Sequence, residues 1–101
     1  MASSFFERVW KAMKRIPRGK ITTYALLARA VGKPKGARAV GNACNANPFA
    51  PKVPCHRIVK SDGSIGGYAQ GVKRKKALLI HEGVRVHNGK IVDFERRLFR
   101  F

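Results

Sequence analysis

The chain contains 101 residues, of which 45% are hydrophobic, so it can build one globular core but not two domains of ordinary size. Its 22 Lys and Arg residues outnumber the 5 Asp and Glu residues and give a net charge of +17. With only Cys44 and Cys55, and no run near the ~18 apolar residues of a membrane span, the sequence excludes a disulfide framework and a transmembrane segment.

The basic charge indicates a polyanionic partner. Such a density of positive charge repels itself in the folded state unless a polyanion offsets it, so nucleic acid is the first candidate. A basic surface that only keeps the protein soluble, or that suits an unusual cytoplasm, is the plainer interpretation. Because the basic residues are scattered and do not form one amphipathic helix, a membrane surface is disfavoured. The N-terminus "MASSFFERVW" has no basic segment followed by an apolar run, and we therefore expect no signal peptide, reduced thiols and a cytoplasmic or nucleoid-associated location.

The first two predicted elements are helices. Ser4 and Glu7 form an S-x-x-E capping box, and the apolar residues that follow at three- and four-residue steps predict an amphipathic helix that ends near "IPRGK". The segment "TTYALLARAVG" predicts a second, shorter helix with a threonine N-cap and with Gly32 as its C-terminal stop.

A third helix is predicted after the turn "GKPKG", because "ARAVGNACNA" carries its larger apolar residues at helical spacing. Two short helices joined by a glycine-bearing turn suggest a helix-turn-helix, although helix pairs that only pack on each other share this pattern. The basic residues Lys33, Lys35 and Arg38 on the turn and the second of these helices favour DNA binding, since phosphate contacts supply much of the affinity for DNA.

The second half of the chain predicts loops, one helix and a hairpin. Three prolines make "NPFAPKVP" an ordered loop, "HRIV" can begin an extended piece, and "KSDGSIGGYAQG" is a glycine-rich loop without the spacing of a nucleotide-phosphate motif. The segment "KRKKALLIHEG" predicts a helix that stops at Gly83, and "VRVHNGKIVDF" predicts a hairpin around Asn88 and Gly89. In the tail "ERRLFRF", Leu98 and Phe99 are expected to pack on the domain.

These elements predict the fold class. We expect one small, mainly α domain over residues 1–101, built on a helix-turn-helix of winged-helix-like character and ending in a short C-terminal β-hairpin.

Cys55, in "VPCHRIV", has three possible roles: a piece of core, a metal ligand or a nucleophile. A cysteine in a small basic protein is often only a buried hydrophobe, and the spacing of Cys44 and Cys55 matches no zinc-binding pattern. Reaction needs the thiolate, however, and His56 and Arg57 supply a base and a positive charge next to the thiol. With Glu82 on the later helix, they make the generic pattern of an activated nucleophile. In a strand, neighbouring side chains would point to opposite sides, so a turn or a bridging water is required.

The motifs "PCHRIV", "ARAVGNA" and "HEG" together resemble the active-site domain of O6-alkylguanine-DNA alkyltransferases, the suicidal DNA-repair methyltransferases. The similarity covers about residues 4–86. It implies a helical domain whose helix-turn-helix enters the minor groove of duplex DNA carrying alkylated guanine and flips the damaged base into a pocket. It also implies a monomer that works without a cofactor or metal and does not bind membranes.

The resemblance assigns the chemistry to five residues. Cys55 matches the nucleophile that accepts the alkyl group irreversibly, as a methylated-DNA-protein-cysteine methyltransferase does, in a single turnover. His56 and Glu82 match the relay that deprotonates it through a water. Asn47 resembles the hinge asparagine that braces this network, and Tyr24 matches the tyrosine that crowds the DNA phosphate and donates to the base so that guanine leaves as a neutral species.

The resemblance also assigns the contacts with DNA. Arg38 matches the arginine that fills the space left by the extruded nucleotide. The small residues Ala37 and Gly41 on the same helix suit close approach to a narrow groove, and Lys35 is expected to bind phosphate.

Tyr68 and the main chain near Ile58 would line the base pocket. Ala69 stands where the family often has a serine that donates to the guanine oxygen, so only its backbone N–H could serve there, and we expect weaker catalysis or altered preference. We also expect the chain to lack the N-terminal domain that most such enzymes carry.

Two other functions remain open. An alkyltransferase-like protein would bind the lesion without repairing it and signal it to a partner in another repair pathway; such proteins keep the arginine and tyrosine but usually replace the cysteine. A general basic DNA or RNA binder would make the P-C-H-R context a coincidence.

Overall fold

The computed structural model describes residues 3–101, with side chains from residue 5 onward. The elements in chain order are α1 (Ser3–Met13), β1 (Thr22–Thr23), α2 (Tyr24–Ala30), α3 (Ala37–Asn45), a 3-10 turn (Cys55–Arg57), β2 (Ile58–Val59), α4 (Val72–His81), β3 (Val86–His87), β4 (Lys90–Ile91) and α5 (Phe94–Arg97).

Helices α1, α2 and α3 pack on one another around the first core cluster. Val9, Leu27 and Val40, one from each helix, are fully buried in it, as the apolar periodicity of the sequence predicts. The indole Nε1 of Trp10 donates to the Ala43 carbonyl at 2.8 Å and so ties α1 to α3. The pair α2 and α3 with its intervening turn forms the predicted helix-turn-helix.

The predicted ends of α2 are confirmed. Thr23 is the N-cap, and its Oγ1 accepts from the backbone N–H of Leu26 at 3.1 Å. Gly32 follows the helix with φ at +85°, a left-handed conformation that favours glycine. The predicted capping box lies outside the described side chains, because Ser4 is one of the residues whose side chain the structure does not describe; its backbone is already helical in α1.

A short parallel pairing that the sequence pattern did not indicate joins the two halves of the chain. Thr22 pairs with Ile58 and Thr23 with Val59, so β1 and β2 lie side by side. Because β1 leads directly into α2 and β2 directly follows the 3-10 turn, this pairing brings Tyr24 and Cys55 into the same region of the molecule.

The C-terminal tail extends this pairing. Ile21 bridges to Leu98, and the N–H of Phe99 donates to the Ile21 carbonyl at 2.6 Å. Thr22 Oγ1 donates to the Phe99 carbonyl at 2.9 Å. The expectation that Leu98 and Phe99 pack on the domain is confirmed.

A second core cluster lies under the C-terminal half. Leu79 of α4 and Val84 are fully buried there against Val59 of β2. The hairpin of β3 and β4 turns at Asn88 and Gly89, both with positive φ (+50° and +74°), which is the geometry of the predicted type I′ turn. None of the helices within residues 3–101 is long and apolar enough to cross a membrane.

Candidate active site

Cys55 opens the 3-10 turn, and its residue is only 4% exposed. Pro54 precedes it and accepts from the N–H of Arg57 at 3.0 Å, which closes the turn. A 3-10 turn has three residues per turn, so neighbouring side chains need not point to opposite sides as they do in a strand. The 3-10 turn therefore allows the side chains of Cys55 and His56 to act together, which a strand would not.

Asn47 fixes the loop that leads into this turn. Its Nδ2 donates to the Val53 carbonyl at 2.8 Å, and its Oδ1 accepts from the N–H of Phe49 at 2.9 Å. The same Val53 carbonyl accepts from the N–H of Cys55 at 2.9 Å. Asn47 therefore positions the backbone that carries the thiol, and its amide bonds to the loop, not to the imidazole.

His56 and Glu82 form a buried pair. Glu82 is the C-cap of α4, and its Oε2 lies 3.1 Å from Nε2 of His56, which is 1% exposed. A carboxylate only accepts hydrogen bonds, so neutral His56 carries its proton on Nε2 and leaves Nδ1 as an acceptor. Nδ1 is buried and has no partner among the described residues. Burial lowers the pKa of His56, against the opposing influence of Glu82, and favours this neutral form.

Arg57 completes the environment of Glu82. Its Nε donates to Oε1 at 2.9 Å and its Nη2 to Oε2 at 2.7 Å, while Nη1 donates to the Ile16 carbonyl at 2.7 Å. Burial alone would raise the pKa of Glu82, but the hydrogen bonds from Arg57 and His56 outweigh it and the pKa is lowered. The sequence suggested that Arg57 provides the positive charge next to the thiol. In the structure, the guanidinium bonds to Glu82 instead.

Lys75 is a second basic residue of the site. It is fully buried on α4, and its Nζ donates to the Ile58 carbonyl at 2.6 Å and to the Gly67 carbonyl at 3.1 Å. Burial lowers the pKa of Lys75 to about 8, and the nearby thiols of Cys44 and Cys55 act in the opposite direction. Lys75 is therefore a buried amine close enough to both thiols to interact with them electrostatically.

The sequence contained a signal for Lys75 that the motif analysis missed. Lys75 stands four residues before Leu79, so the two share one face of α4, and both are buried. A lysine at a position where the apolar stripe of a helix should continue indicates a buried, functional or structural ammonium group.

Two tyrosines stand near Cys55. Burial, and then the charges of the two thiols, raise the pKa of Tyr24 to about 12, and Lys75 Nζ lies 6.0 Å from the centroid of its ring. Burial first, and then the charge of Cys55 and a weak contact with its thiol, raise the pKa of Tyr68 to about 12; among the described residues the buried hydroxyl has no partner with full hydrogen-bond geometry. Both phenols therefore remain protonated donors at neutral pH.

The two remaining pocket positions differ in exposure. Ile58 is fully buried and its carbonyl is held by Lys75, whereas Ala69 is exposed on the glycine-rich loop beside Tyr68.

A groove of about 420 Å³ opens beside α3 on the surface. It is lined by Tyr24, Ala37, Arg38, Gly41, Asn42 and Asn45. Arg38 is exposed, and a side chain added at Gly41 would meet nothing within 4 Å, so this face of α3 is open. Lys35 lies outside it, in a neighbouring groove with Lys33 and Ala39.

The second thiol differs from the first. Cys44 is buried in α3, and burial, followed by the charge of Cys55, raises its pKa to about 12. It stays protonated at neutral pH and is a poor nucleophile. Across residues 3–101, no group of three His, Cys, Asp or Glu side chains comes together as a metal site would require.

Comparison with known proteins finds similarity over most of the chain. Residues 4–84 match the family described as "6-O-methylguanine DNA methyltransferase, DNA binding domain". The methylated-DNA–protein-cysteine methyltransferase of Salmonella typhimurium is 49% identical over 79 residues, which are 78% of this chain and 46% of that protein. The bifunctional transcriptional activator and DNA repair enzyme Ada of Escherichia coli is 49% identical over 80 residues, 79% of this chain and 23% of that protein. The chain thus matches about half or less of the length of these relatives.

Two solved structures have the same fold. The Mycobacterium tuberculosis OGT in complex with DNA superposes with a TM-score of 0.77 at 47% identity, over 78% of this chain and 48% of that one. The second structure is S. pombe Atl1 in complex with damaged DNA containing O6-carboxymethylguanine. It superposes on this chain with a TM-score of 0.87 at 32% identity. That second match covers 98% of this chain and 97% of the other.

Proposed function

The chain belongs to the 6-O-methylguanine DNA methyltransferase DNA-binding domain family, and from that premise we propose that it repairs O6-alkylguanine in duplex DNA by moving the alkyl group to Cys55. The base is flipped out of the duplex, and the transfer is irreversible, so each protein molecule acts once. Residues 1–101 act as one domain and one monomer, in the cytoplasm at the nucleoid, without metal or cofactor.

The observation that carries the proposal is the buried Nδ1 of His56, within the Cys55 turn, which has no partner in the part of the chain that the structure describes. Glu82 holds the other imidazole nitrogen at 3.1 Å, so Nδ1 is the acceptor that can take the thiol proton through a water. Glu82 then stabilises the imidazolium that forms, as the carboxylate of an activated nucleophile does. The thiolate attacks the alkyl carbon, the C–S bond forms as the C–O6 bond breaks, and the bonding electrons pass to guanine, which takes up a proton and leaves neutral.

Tyr24 and Tyr68 support the departure of the base. Each has a pKa raised to about 12, so each phenol can donate a hydrogen bond to the guanine as negative charge develops on it. The backbone N–H of Ala69 and the main chain near Ile58 complete this pocket. Asn47 acts through the backbone of Val53 and positions Cys55.

The groove beside α3 is the proposed contact with DNA. Its small residues Ala37 and Gly41 let the backbone approach a narrow minor groove, and exposed Arg38 enters the stack in place of the extruded base. Lys35 binds phosphate from the adjoining turn. The two solved complexes described above contain DNA, and in one of them the DNA is damaged, which supports the same partner here.

A lesion-binding protein without transferase activity is the second candidate. The nearly full-length match with S. pombe Atl1, a protein bound to damaged DNA, favours it. Cys55 with the His56 and Glu82 pair favours the transferase, because lesion binding alone needs neither a thiol nor a base.

The two candidates differ in what happens to the lesion. A duplex with one O6-methylguanine is incubated with increasing amounts of protein, digested to deoxynucleosides and separated by chromatography. The transferase predicts that O6-methyl-2′-deoxyguanosine is lost and 2′-deoxyguanosine rises by the same amount, one lesion for each active protein, and that Cys55→Ser abolishes the conversion while Cys44→Ser does not. Tight binding with an unchanged nucleoside profile would establish the lesion-binding protein instead.

Arg38 has a separate test, because only duplex DNA requires extrusion of the base. We expect Arg38→Ala to slow repair of the duplex by about tenfold or more, the effect of roughly 1.4 kcal/mol or more on the barrier, and to leave the reaction with free O6-methylguanine unchanged. Equal losses on the two substrates would contradict the role given to Arg38.

A further inference from the structure

A row of cations follows the exposed side of α1, away from the groove beside α3. Arg8, Lys11 and Arg15 are exposed and follow one another at three- and four-residue steps, so the first two share a face of the helix and Arg15 continues it past the helix end. Together with Ala12, Ala30 and Val31 they line a groove of about 330 Å³. We call Arg8, Lys11 and Arg15 the α1 track.

Among the described residues, no ion pair neutralises the charges of the α1 track. None of the three side chains has a salt bridge or hydrogen bond among the described residues. Glu7 is the one carboxylate in the α1 sequence. It lines a different groove together with Trp10 and Phe49, and Lys11 also reaches that groove. Like charges held side by side on one surface favour a bound polyanion.

The α1 track is continuous with the surface around α3. Arg8 and Lys33 both lie over the ring of Phe5, with Cζ at 5.8 Å and Nζ at 5.0 Å from its centroid. Lys33 belongs to the turn of the helix-turn-helix and lines the groove that also contains Lys35. An unbroken basic surface therefore runs from α3, through this turn, to α1.

The spacing of the α1 track suits a phosphate backbone. At about 1.5 Å per helical residue, the five residues from Arg8 to the helix end at Met13 span roughly 7.5 Å, and Arg15 lies two residues beyond it. One strand of duplex DNA presents a phosphate every ~3.4 Å along the duplex axis, so a track laid along that axis passes about three phosphates. The small side chains of Ala12 and Ala30 in the same groove leave room for the backbone to approach.

We propose that the α1 track binds the phosphate backbone of the same duplex outside the segment held by α3, and so lengthens the footprint of the protein on DNA. The inference rests on the DNA-binding part of the proposed function and not on alkyl transfer. No base is read by this surface, so the contact is independent of sequence and lesion.

The test compares two triple variants. Arg8→Gln, Lys11→Gln and Arg15→Gln together neutralise the track; Lys60→Gln, Arg85→Gln and Lys90→Gln together remove the same charge from exposed residues near the second core cluster. Duplex affinity is measured against salt, on a duplex of about one helical turn and on one of about three turns. For the longer duplex, we expect the track variant to reduce the slope of log affinity against log salt by about 2.7, roughly 0.9 for each lost contact, and the control variant to change it little. On the short duplex the two variants should bind alike.

Three results would overturn the proposal. They are an unchanged slope for the track variant on the longer duplex, an equal reduction in the control variant, or an equal loss on the short and long duplexes. Adsorption to phosphatidylserine vesicles is measured in parallel. If the track variant loses vesicle adsorption but keeps its affinity for the duplex, the surface faces a membrane and the proposal fails. Because affinity is read without reference to methyl transfer, a protein that binds the duplex but transfers nothing would leave this inference standing and refute only the transferase.

Discussion

Lys75 is the residue whose position most changes the interpretation of Cys55. The Arg57 guanidinium bonds to Glu82 and to the Ile16 carbonyl, whereas the buried amine of Lys75 has a pKa of about 8 that burial lowers and the two thiols raise. A positive charge in a site from which water is excluded stabilises a thiolate more strongly than one in solvent. We therefore assign Lys75 the electrostatic support of the nucleophile.

Removal of this charge should slow alkyl transfer. We expect Lys75→Met to reduce the rate with free O6-methylguanine at neutral pH by about tenfold or more, roughly 1.4 kcal/mol or more on the barrier, because the thiolate loses the electrostatic support of a buried ammonium group. The measurement is single-turnover rate against pH, with the exposed neighbour Lys76→Met as matched control. A rate equal to that of the control at every pH would show that Lys75 only satisfies the carbonyls of Ile58 and Gly67.

The sequence predicted some of the residues around Cys55 but not all of their partners. Cys55, His56 and Glu82 could be identified because a short motif and the family resemblance mark them, and the structure brings His56 and Glu82 within 3.1 Å. The partners of Arg57 and Lys75 are backbone carbonyls distant in sequence, at Ile16, Ile58 and Gly67, and residue type alone carries no information about them.

The Cys55 turn is held between the loop after α1 and the end of α4. Arg57 makes this connection, since its guanidinium bonds the Ile16 carbonyl on one side and the Glu82 carboxylate on the other. The site therefore depends on the packing of two segments that are remote in the chain.

Loss of Arg57 should destabilise the fold as well as the site. We expect Arg57→Ala to lower the free energy of unfolding by about 3 kcal/mol, because the Glu82 side chain, 8% exposed, loses its main charge partner. Urea denaturation measures this, and Arg57→Lys should lose less, since it keeps the charge but not the two-pronged contact. A loss below about 1 kcal/mol for Arg57→Ala would mean that His56 and solvent suffice to support Glu82.

The helices could be predicted because their signals are local. The threonine cap of α2, its glycine stop at Gly32 and the Asn88-Gly89 turn act within a few residues, and each was found where the sequence placed it. The parallel pair β1 and β2 could not be predicted, because each strand has two residues, too few to show an alternating pattern, and the pairing joins Thr22 to Ile58 across the chain.

The net charge of +17 and the buried pair of His56 and Glu82 together determine how the stability of the protein responds to acid. Both groups have a lowered pKa in the folded state, so the unfolded chain takes up protons first as the pH falls. The stability that they contribute is complete above the ordinary histidine pKa of about 6.5 and is lost below it, first through His56 and then, near pH 4, through Glu82.

Acidification should therefore weaken the fold in a way that depends on His56. We expect the urea midpoint to fall between pH 7.5 and pH 5, and His56→Gln to flatten that part of the curve because glutamine does not titrate. His81 and His87 are exposed, so His87→Gln serves as the control and should leave the slope unchanged. A parallel slope in His56→Gln and the unaltered protein would show that general charge repulsion, not the buried imidazole, causes the loss.

The identity of the thiol that carries the alkyl group decides between a transferase and a protein that only holds the lesion. The protein is mixed with duplex containing O6-methylguanine, its intact mass is measured, and the modified peptide is then located. We predict a gain of one methyl group on the peptide that contains Cys55, the same gain in Cys44→Ser, and none in Cys55→Ser. An unchanged mass in a protein that binds the duplex, or a methyl group on Cys44, would contradict the proposed function.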